Sequence, residues 1–454
     1  MPGAQSREAA IGAHVEELLA YLGASPSPYH AVAESEARLR AAGFVTLSPV
    51  EPWPSQPGRF LVARGGTLIA WIRAESAGPG SPFRIVGAHT DSPNLRLKPI
   101  PEFTSAGWEQ LGVEVYGGAL RNSWLDRDLG ISGRVTIDGV DGRVLRLVHI
   151  DKAIARVPQL AIHLDRQVND GLTLNPQQHL TPLWALDGSG GPSLRDVLAE
   201  HLRGSACGNG GGNWVDPDDI VAWDLMFHDA QPPALCGRDE AFISSGRIDN
   251  LLSCHAGTRG LIDAAAELEA ADADGRPETP VAVLALFDHE EIGSQTATGA
   301  SGAWLAQVLE RIAATSSAAR DDFLRALAAS TCVSADGAHA THPNYADRHD
   351  PNHMVRLDGG PVIKANATQR YATDAETAAW LLDACGRAGV PHQHFVSRSD
   401  MPCGSTIGPL TAAGLAVATV DVGAAMLAMH SARELAGVVD AWRLAELLSA
   451  TFVA

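Results

Sequence analysis

The sequence predicts an α/β protein in which a mostly parallel sheet, flanked by helices, is interrupted by an inserted β-rich domain. After residue 242, helix-length amphipathic segments alternate with short, continuously apolar runs, which is typical of parallel strands buried on both faces. Between residues 98 and 241, strand-like runs and Gly-rich turns indicate β-hairpins instead. We therefore expect three segments: the first part of the α/β domain at 1–97, the insert at 98–241 and the second part at 242–454.

The first segment predicts two helices followed by strands. Apolar residues recur on one helical stripe over 7–22, and Ser27-Pro28 can begin a second helix that ends near Gly43. Strands are predicted at 60–74, with Gly65-Gly66 as a hairpin turn, and at 83–89.

The insert and the second segment continue these patterns. In the insert, 131–150 predicts β-hairpins, LAIHLDR at 160–166 predicts an apolar strand, and the Gly-rich run at 204–214 predicts a flexible loop. In the second segment the apolar runs VAVLALF, TCVSA, HFV and LAVATVDV predict strands. Helices are predicted at 247–268, 302–314, 321–329, 374–388 and 433–450.

Composition excludes several classes of protein. The chain has 454 residues, and 34 basic against 53 acidic side chains give a formal charge of −19, which repels nucleic acid and anionic membranes. No stretch reaches about 18 uninterrupted apolar residues, the length that would span a membrane. The six cysteines show no C-x-x-C spacing. We expect a cytoplasmic protein that binds neither nucleic acid nor membranes.

Metal-ligand residue types follow the predicted strands. Because ligands bind at the carboxyl ends of strands in open α/β sheets, segments far apart in sequence converge there. A further acid lies at the start of a predicted helix, where the chain returns from the insert. The set comprises two histidines and five carboxylates: His89, Asp91, Asp249, Glu290, Glu291, Asp336 and His430.

Each of these residues alone has an ordinary structural interpretation. An aspartate can cap a helix, paired glutamates often form a solvated turn, and His430 among apolar neighbours can be a hydrogen-bonded core residue. Their convergence at one sheet edge instead indicates a zinc site. So many acids favour two divalent ions, since one carboxylate must bridge them and others balance their charge.

Competing catalytic motifs are absent from the sequence. Glu290-Glu291 is followed by Ile-Gly-Ser, so this segment is not H-E-x-x-H. The sequence contains neither G-x-x-x-x-G-K-[ST] nor G-x-S-x-G, which removes P-loop and α/β-hydrolase interpretations.

Ten motifs spread over nearly the whole chain resemble those of the M18 metallo-aminopeptidases, the aspartyl aminopeptidase group. They include GAHTDSPNLRLKP, WLDRDLGISGRV, LAIHLDR, RIDNLLS, FDHEEIGSQTATGA, SADGAHATHPNY, GPVIKANATQRYAT and AMHSARE. The resemblance implies a zinc-peptidase-type α/β domain with a β-rich dimerisation insert, peptide substrates and a homo-oligomer in the form of a tetrahedral dodecamer. It also implies two Zn²⁺ per subunit, with Mn²⁺ or Co²⁺ as possible substitutes.

The same resemblance implies a role for each motif residue. His89 and Asp336 would bind the first metal, Asp249 would bridge, and Glu291 and His430 would hold the second. Glu290 would be the general base, and Asp91 would orient a ligand histidine. His163 would reach into the neighbouring active site. Lys364, Tyr371 and Arg370 would contact the substrate.

Three alternatives remain open from the sequence. The chain could be a dinuclear zinc deacylase or carboxypeptidase, because a similar ligand set serves those reactions. It could be a metal-binding scaffold with a dead site, although Glu290 beside the metals would then have no use. Lys364 could be a solvated loop lysine, with Arg370 or Arg398 as the cation that recognises an acidic first residue.

Overall fold

The structure is a computed structural model that describes residues 4–139, 142–204, 215–273 and 279–454. Apart from Gly204, the segment predicted to be a flexible loop lies outside the described residues. The chain divides into two compact units. Unit 1 comprises Met1–Asp91, Pro233–Met429 and Glu434–Ala454, and unit 2 comprises Ser92–Pro232 and His430–Arg433.

The α-helices of the described residues are numbered in chain order. They are α1 Ala4–Ala24, α2 Pro28–Ala41, α3 Pro176–His179, α4 Leu194–Gly204, α5 Ile248–Ala273, α6 Trp304–Thr315, α7 Arg320–Ala328, α8 Ala375–Ala388, α9 Ile407–Leu415 and α10 Val438–Phe452.

The β-strands of the same residues are also numbered in chain order. They are β1 Val45–Thr46, β2 Gly58–Arg64, β3 Thr67–Arg73, β4 Phe83–His89, β5 Asn94–Ser105, β6 Trp108–Tyr116, β7 Asp128–Gly139, β8 Gly142–Arg156, β9 Leu183–Leu186, β10 Ile220–Asp229, β11 Ala234–Cys236, β12 Phe242–Ser245, β13 Val281–Phe287, β14 Thr331–Ala335, β15 Ala338–His339, β16 Val362–Lys364, β17 Gln393–Phe395, β18 Ala418–Gly423, β19 Ala425–Leu427 and β20 Glu434–Gly437.

The large sheet of unit 1 confirms the predicted α/β class. Its order is β1-β2-β3-β13-β4-β14-β18-β16-β17. The central strands β13, β4, β14 and β18 are mutually parallel, whereas β3 and β16 pair antiparallel with their inner neighbours. The carboxyl ends of the central strands therefore lie at one edge of the sheet.

Both faces of this sheet are buried, and the side chains of its strands point alternately to one face and the other. On β13, Leu284 and Leu286 belong to one buried core, and Val283 and Phe287 belong to another. Helices α1, α2, α5, α8 and α10 contribute to the first core, and α6, α7 and α9 to the second. Burial on both faces explains why these strands are continuously apolar in sequence.

Unit 2 is built around a closed barrel with the strand order β10-β5-β6-β9-β8-β7. Adjacent strands are antiparallel, as β-hairpins require. The interior is filled by Leu and Val side chains such as Leu95, Leu129, Val135 and Val148.

Two local predictions are wrong. Residues 434–437 are not helical but form β20, which pairs with β12 and β19 and leads into α10 at Val438. Residues 160–166 form no strand: they lie in turns and irregular backbone, and Leu160, Ile162 and Leu164 are 57%, 45% and 74% exposed. Apolar alternation there marks exposed side chains rather than core positions.

The described residues contain no helix with both the length and the apolar character needed to cross a bilayer.

Two buried histidines contact each other where α1 packs on α5. The rings of His14 and His255 are 4.9 Å apart between centroids. Burial lowers the pKa of His14 to about 4, and the positive charge of Arg259 acts in the same direction. Burial likewise lowers the pKa of His255 well below its usual value, with smaller contributions from His14, Arg38 and Arg259. Both imidazoles are therefore neutral in the folded chain at neutral pH.

This pair predicts destabilisation by mild acid. A histidine whose pKa is lowered on folding contributes stability above its unfolded pKa of about 6.5 and loses it as the pH falls toward the folded value. For His14 the loss is roughly 3 kcal/mol in the free energy of unfolding between pH 6.5 and 4. We expect the urea midpoint, followed by circular dichroism at pH 7.5 and 5.5, to fall less in His14→Leu than in wild type. The urea midpoint of His392→Leu, a change at an exposed histidine, should fall as much as that of wild type. Equal pH dependence of the midpoint in all three chains would contradict this account.

Candidate metal centre

Three neighbouring parallel strands place the first site residues. His89 ends β4, Glu290 and Glu291 follow β13 in a short 3-10 helix, and Asp336 directly follows β14. Since β4 lies between β13 and β14, these side chains meet at one sheet edge. The sequence prediction of this convergence is confirmed by the topology.

His89 lies at the middle of the cluster and is 1% exposed. Its Nδ1 is 2.9 Å from the carbonyl oxygen of Asp91, which accepts the ring N–H. The opposite nitrogen, Nε2, is 3.4 Å from Asp249 Oδ1, 3.5 Å from Asp336 Oδ1 and 3.9 Å from Glu290 Oε2. The backbone contact thus fixes which ring nitrogen faces the carboxylates.

The Asp91 carboxylate holds the glutamate segment in place. Its two oxygens accept the backbone N–H groups of Glu290 at 3.0 Å and Glu291 at 3.1 Å. Oδ1 is also 3.5 Å from His89 Nδ1. Asp91 therefore connects the end of β4 to the turn after β13.

Asp249 is positioned by two residues that the sequence analysis missed. It departs from helical geometry at the start of α5, and its backbone N–H donates to Glu434 Oε2 at 3.0 Å. The next residue, Asn250, donates from its side chain to the Ala335 carbonyl at 2.8 Å, beside Asp336. Glu434 is the last residue of the motif AMHSARE, and its place in that motif is the sequence feature from which its role could have been predicted.

Excess negative charge dominates the electrostatics. Burial alone would lower the pKa of His89, but Asp249, Asp336 and Asp91 together raise it well above its usual value. Burial raises the pKa of Glu290 to about 7; His89 opposes this rise, while Asp336 and Asp249 add to it. The site therefore favours added positive charge.

The donor set fits a divalent metal ion. Atoms bound to tetrahedral zinc at about 2.0–2.1 Å lie roughly 3.3–3.4 Å from each other. The distances from His89 Nε2 to Asp249 and Asp336, 3.4 and 3.5 Å, match that spacing. His89, Asp249 and Glu291 also offer ligand atoms that all lie within 4.8 Å of one another. Imidazole with carboxylate is a common zinc donor set, and a cation would offset the charge of the clustered acids.

Lys364 lies at this edge too, so the solvated-loop alternative is wrong. It ends β16 and is 1% exposed. Its Nζ donates to the Asp336 and Gly337 carbonyls, each at 3.1 Å, and lies 3.8 Å from Asp336 Oδ2. The Nζ is 5.1 Å from the ring centroid of Tyr371, which is itself buried.

Four predicted residues remain: Arg370, Arg398, His163 and His430. Arg370 is exposed, and Arg398 forms an ion pair with Asp400 at 2.6 Å. His163 and His430 belong to unit 2: His163 is exposed on a turn, and His430 has its Nδ1 3.2 Å from the Gly118 carbonyl oxygen.

Sequence comparisons identify relatives over almost the entire chain. The family described as aminopeptidase I zinc metalloprotease (M18) matches residues 21–452. A Streptomyces avermitilis protein named probable M18 family aminopeptidase 2 is 50% identical over 438 residues, 96% of this chain and 97% of that protein. A Mycobacterium leprae protein of the same name is 46% identical over 447 residues, 97% of this chain and 99% of that protein.

Solved structures share the fold. A chain in the cryo-EM structure of the Ape4 and Nbr1 complex matches with a TM-score of 0.92 and 36% identity, covering 100% of this chain and 87% of that chain. A chain of the S. cerevisiae mApe1 dodecamer matches with a TM-score of 0.81 and 25% identity, covering 96% of each.

Proposed function

The chain belongs to the M18 family of zinc aminopeptidases, and from that premise we propose that it removes N-terminal residues, preferentially Asp or Glu, from peptides with two zinc ions and Glu290 as general base. The observation that carries this proposal is the spacing of the Asp249 and Asp336 carboxylates around His89 Nε2. That spacing suits metal ligation, and Glu290 lies beside it.

We assign the ligands by motif and by geometry where the described contacts allow. His89 and Asp336 would hold the first ion, Asp249 would bridge, and Glu291 would ligate the second. His430 is assigned to the second ion on its motif alone. The Nδ1 contact of His430 with a carbonyl oxygen is common among histidines that ligate through Nε2.

Two ions are supported by the number of acids. Asp91, Asp249, Glu290, Glu291 and Asp336 carry five negative charges when ionised, and His89 cannot balance them. When bound, zinc supplies Lewis acidity and lowers the pKa of water at the site. Mn²⁺ or Co²⁺ could substitute, because both accept the same nitrogen and oxygen donors.

Glu290 is suited to move the proton in peptide hydrolysis. Its carboxylate is 3.9 Å from His89 Nε2, and its backbone is held by Asp91. In the proposed reaction Glu290 takes a proton from the attacking water and delivers it to the leaving amine. Asp91 acts as a positioning residue, because it orients both His89 and the glutamate turn.

The first test concerns the base. Because removal of a general base typically costs 10²- to 10⁴-fold in rate, Glu290→Gln should lose about that much kcat while keeping its bound metal. Turnover of aspartyl reporter substrates and metal content by mass spectrometry give the two readouts. Near wild-type turnover in metal-replete Glu290→Gln would refute the mechanism.

Glu291→Gln is the matched variant at the adjacent position. It should lose metal, since Glu291 offers a ligand atom beside His89 and Asp249, and unchanged metal content would refute its ligand role. N-acetylated peptides distinguish the remaining alternative: an aminopeptidase should leave them intact, whereas a deacylase or carboxypeptidase should cleave them.

Lys364 is the proposed recognition group for an acidic first residue. The chain has a charge of −19, so an acidic substrate needs a local cation. Two of the three ammonium donors are used by the Asp336 and Gly337 carbonyls, which fixes the charge next to the ligand cluster. The remaining donor can bind a substrate carboxylate. Tyr371 and Arg370 are proposed as further substrate contacts.

Specificity should therefore depend on Lys364. A hydrogen bond between charged groups contributes about 1.5–3 kcal/mol, so Lys364→Ala should lower kcat/KM for aspartyl and glutamyl substrates by roughly 10- to 100-fold more than for leucyl substrates. Lys364→Met, which keeps the aliphatic stem, should show the same ratio. The exposed Lys152→Ala is the control and should retain wild-type selectivity. Equal losses of kcat/KM on all three substrates would show that another residue recognises the acidic side chain.

Assembly is proposed to complete the site. The insert at 98–241 is assigned as the dimerisation domain, and the match to the mApe1 dodecamer supports a homo-oligomer, with a tetrahedral dodecamer as the specific proposal. The turn that carries His163 exposes Leu160, Ile162 and Leu164, as expected of a segment that contacts a partner chain. His163 would donate to the substrate carbonyl oxygen of the neighbouring active site. The cytoplasmic location stays a prediction from the sequence.

Mixing two inactive variants tests this assignment. His163→Phe should lose kcat by about 10²- to 10³-fold, comparable with loss of one oxyanion donor. After co-reassembly with Glu290→Gln, about a quarter of sites should combine an intact base with an intact histidine, if subunits exchange as reciprocal dimers. Each variant reassembled alone is the control. Normal assembly without recovery at any mixing ratio would show that His163 does not act in trans.

A further inference from the structure

We propose that His149, Asp151 and His228 form an additional binding site for a divalent transition-metal ion on the barrel of unit 2. The three side chains each offer a ligand atom, and these atoms all lie within 4.8 Å of one another. His149 and Asp151 belong to β8, and His228 belongs to β10. None of the three is part of the proposed catalytic machinery.

Strand pairing brings these residues together. Strand β7 lies between β8 and β10, with Ser132 of β7 paired with His149 and Gly130 paired with His228. The alternating residues Val148, Ile150 and Phe227 point into the barrel core. Since side chains alternate along a strand, the two histidines and Asp151 share the opposite face.

Gly130 makes the close approach possible. A Cβ at this position would lie 2.7 Å from His228 Nε2 and 2.4 Å from the Ile150 carbonyl oxygen. Because the glycine has no side chain, the His228 ring can lie across β7 toward β8. The His149 and His228 ring centroids are consequently 5.4 Å apart.

The hydrogen bonding of His228 orients it as a ligand. His228 is 3% exposed, and its Nδ1 is 3.1 Å from the hydroxyl of the fully buried Ser132. That contact fixes the ring so that Nε2 is the atom facing Asp151. A partner on the second ring nitrogen is the usual arrangement around metal-binding histidines.

The distances suit a metal with small adjustments of exposed side chains. Asp151 Oδ1 is 3.8 Å from His149 Nε2 and 3.9 Å from His228 Nε2, about 0.5 Å longer than ligand spacing around tetrahedral zinc. The Asp151 side chain is 74% exposed and can move by that amount. Two imidazoles with one carboxylate select borderline ions such as Zn²⁺, Ni²⁺ or Cu²⁺ over Ca²⁺ and Mg²⁺. An ion bound there would join β8 to β10.

Zinc stoichiometry of the full-length oligomer tests the site. We expect wild type, dialysed to equilibrium against buffered free Zn²⁺, to bind one more ion per chain than His149→Gln or Asp151→Asn. Both changed side chains are partly or largely exposed, so these variants keep the test valid if a change at buried His228 prevents folding. Ser132→Ala should weaken the additional site by about 10- to 100-fold, as loss of a ligand-orienting contact does.

Two controls separate this site from the catalytic centre. His392→Gln, at an exposed histidine, should bind as much zinc as wild type. Aminopeptidase turnover of His149→Gln should match wild type, because the catalytic ligands are unchanged. Equal zinc content in wild type, His149→Gln and Asp151→Asn over the whole titration would overturn the proposal, as would an equal loss in His392→Gln.

Discussion

Clustered negative charge is the constraint on which the structure of unit 1 depends. Five carboxylates and one buried imidazole meet at the ends of three parallel strands, where each additional ionised acid raises the cost of the next. His89 offsets part of this cost, and its raised pKa records that interaction. A divalent cation would offset more of this cost. The donor geometry and the charge therefore both indicate a metal site.

The surrounding fold holds these acids together in spite of their repulsion. Asp91 accepts two backbone N–H groups from the glutamate turn, Glu434 accepts one from Asp249, and Asn250 reaches the end of β14. Each contact joins segments far apart in sequence. The rigid central strands, buried on both faces, then limit how far the acids can separate. Stability in the core is thus used to maintain an arrangement that is locally unfavourable without a cation.

The sequence predicted the sheet and the strand-end residues because both depend on local pattern. A continuously apolar run such as β13 is recognisable alone, and parallel strands bring their carboxyl ends to one edge. The contact between Glu434 and Asp249 was not predictable, since it depends on β20 pairing with β12 across almost the length of the second segment. The same pairing explains why 434–437 is a strand, although its apolar pattern also suits a helix. At 160–166 the apolar pattern was real, but the side chains that carry it are exposed, and their spacing in sequence is the same as that of core residues.

The two histidine clusters follow one construction principle at different depths. In each, the Nδ1 of a buried histidine is held by a neighbouring oxygen, the Asp91 carbonyl for His89 and the Ser132 hydroxyl for His228, so that Nε2 faces carboxylate. The two clusters differ in the number and burial of the acids that face the histidine ring. His89 faces acids that follow two separate strands or begin a helix, whereas His228 faces one largely exposed acid. Desolvated acids strengthen cation binding and shift the pKa of a nearby carboxyl group such as that of Glu290, while an exposed acid is screened by water. The same ring orientation therefore suits both the proposed catalytic centre in unit 1 and the proposed metal site that would join two strands in unit 2.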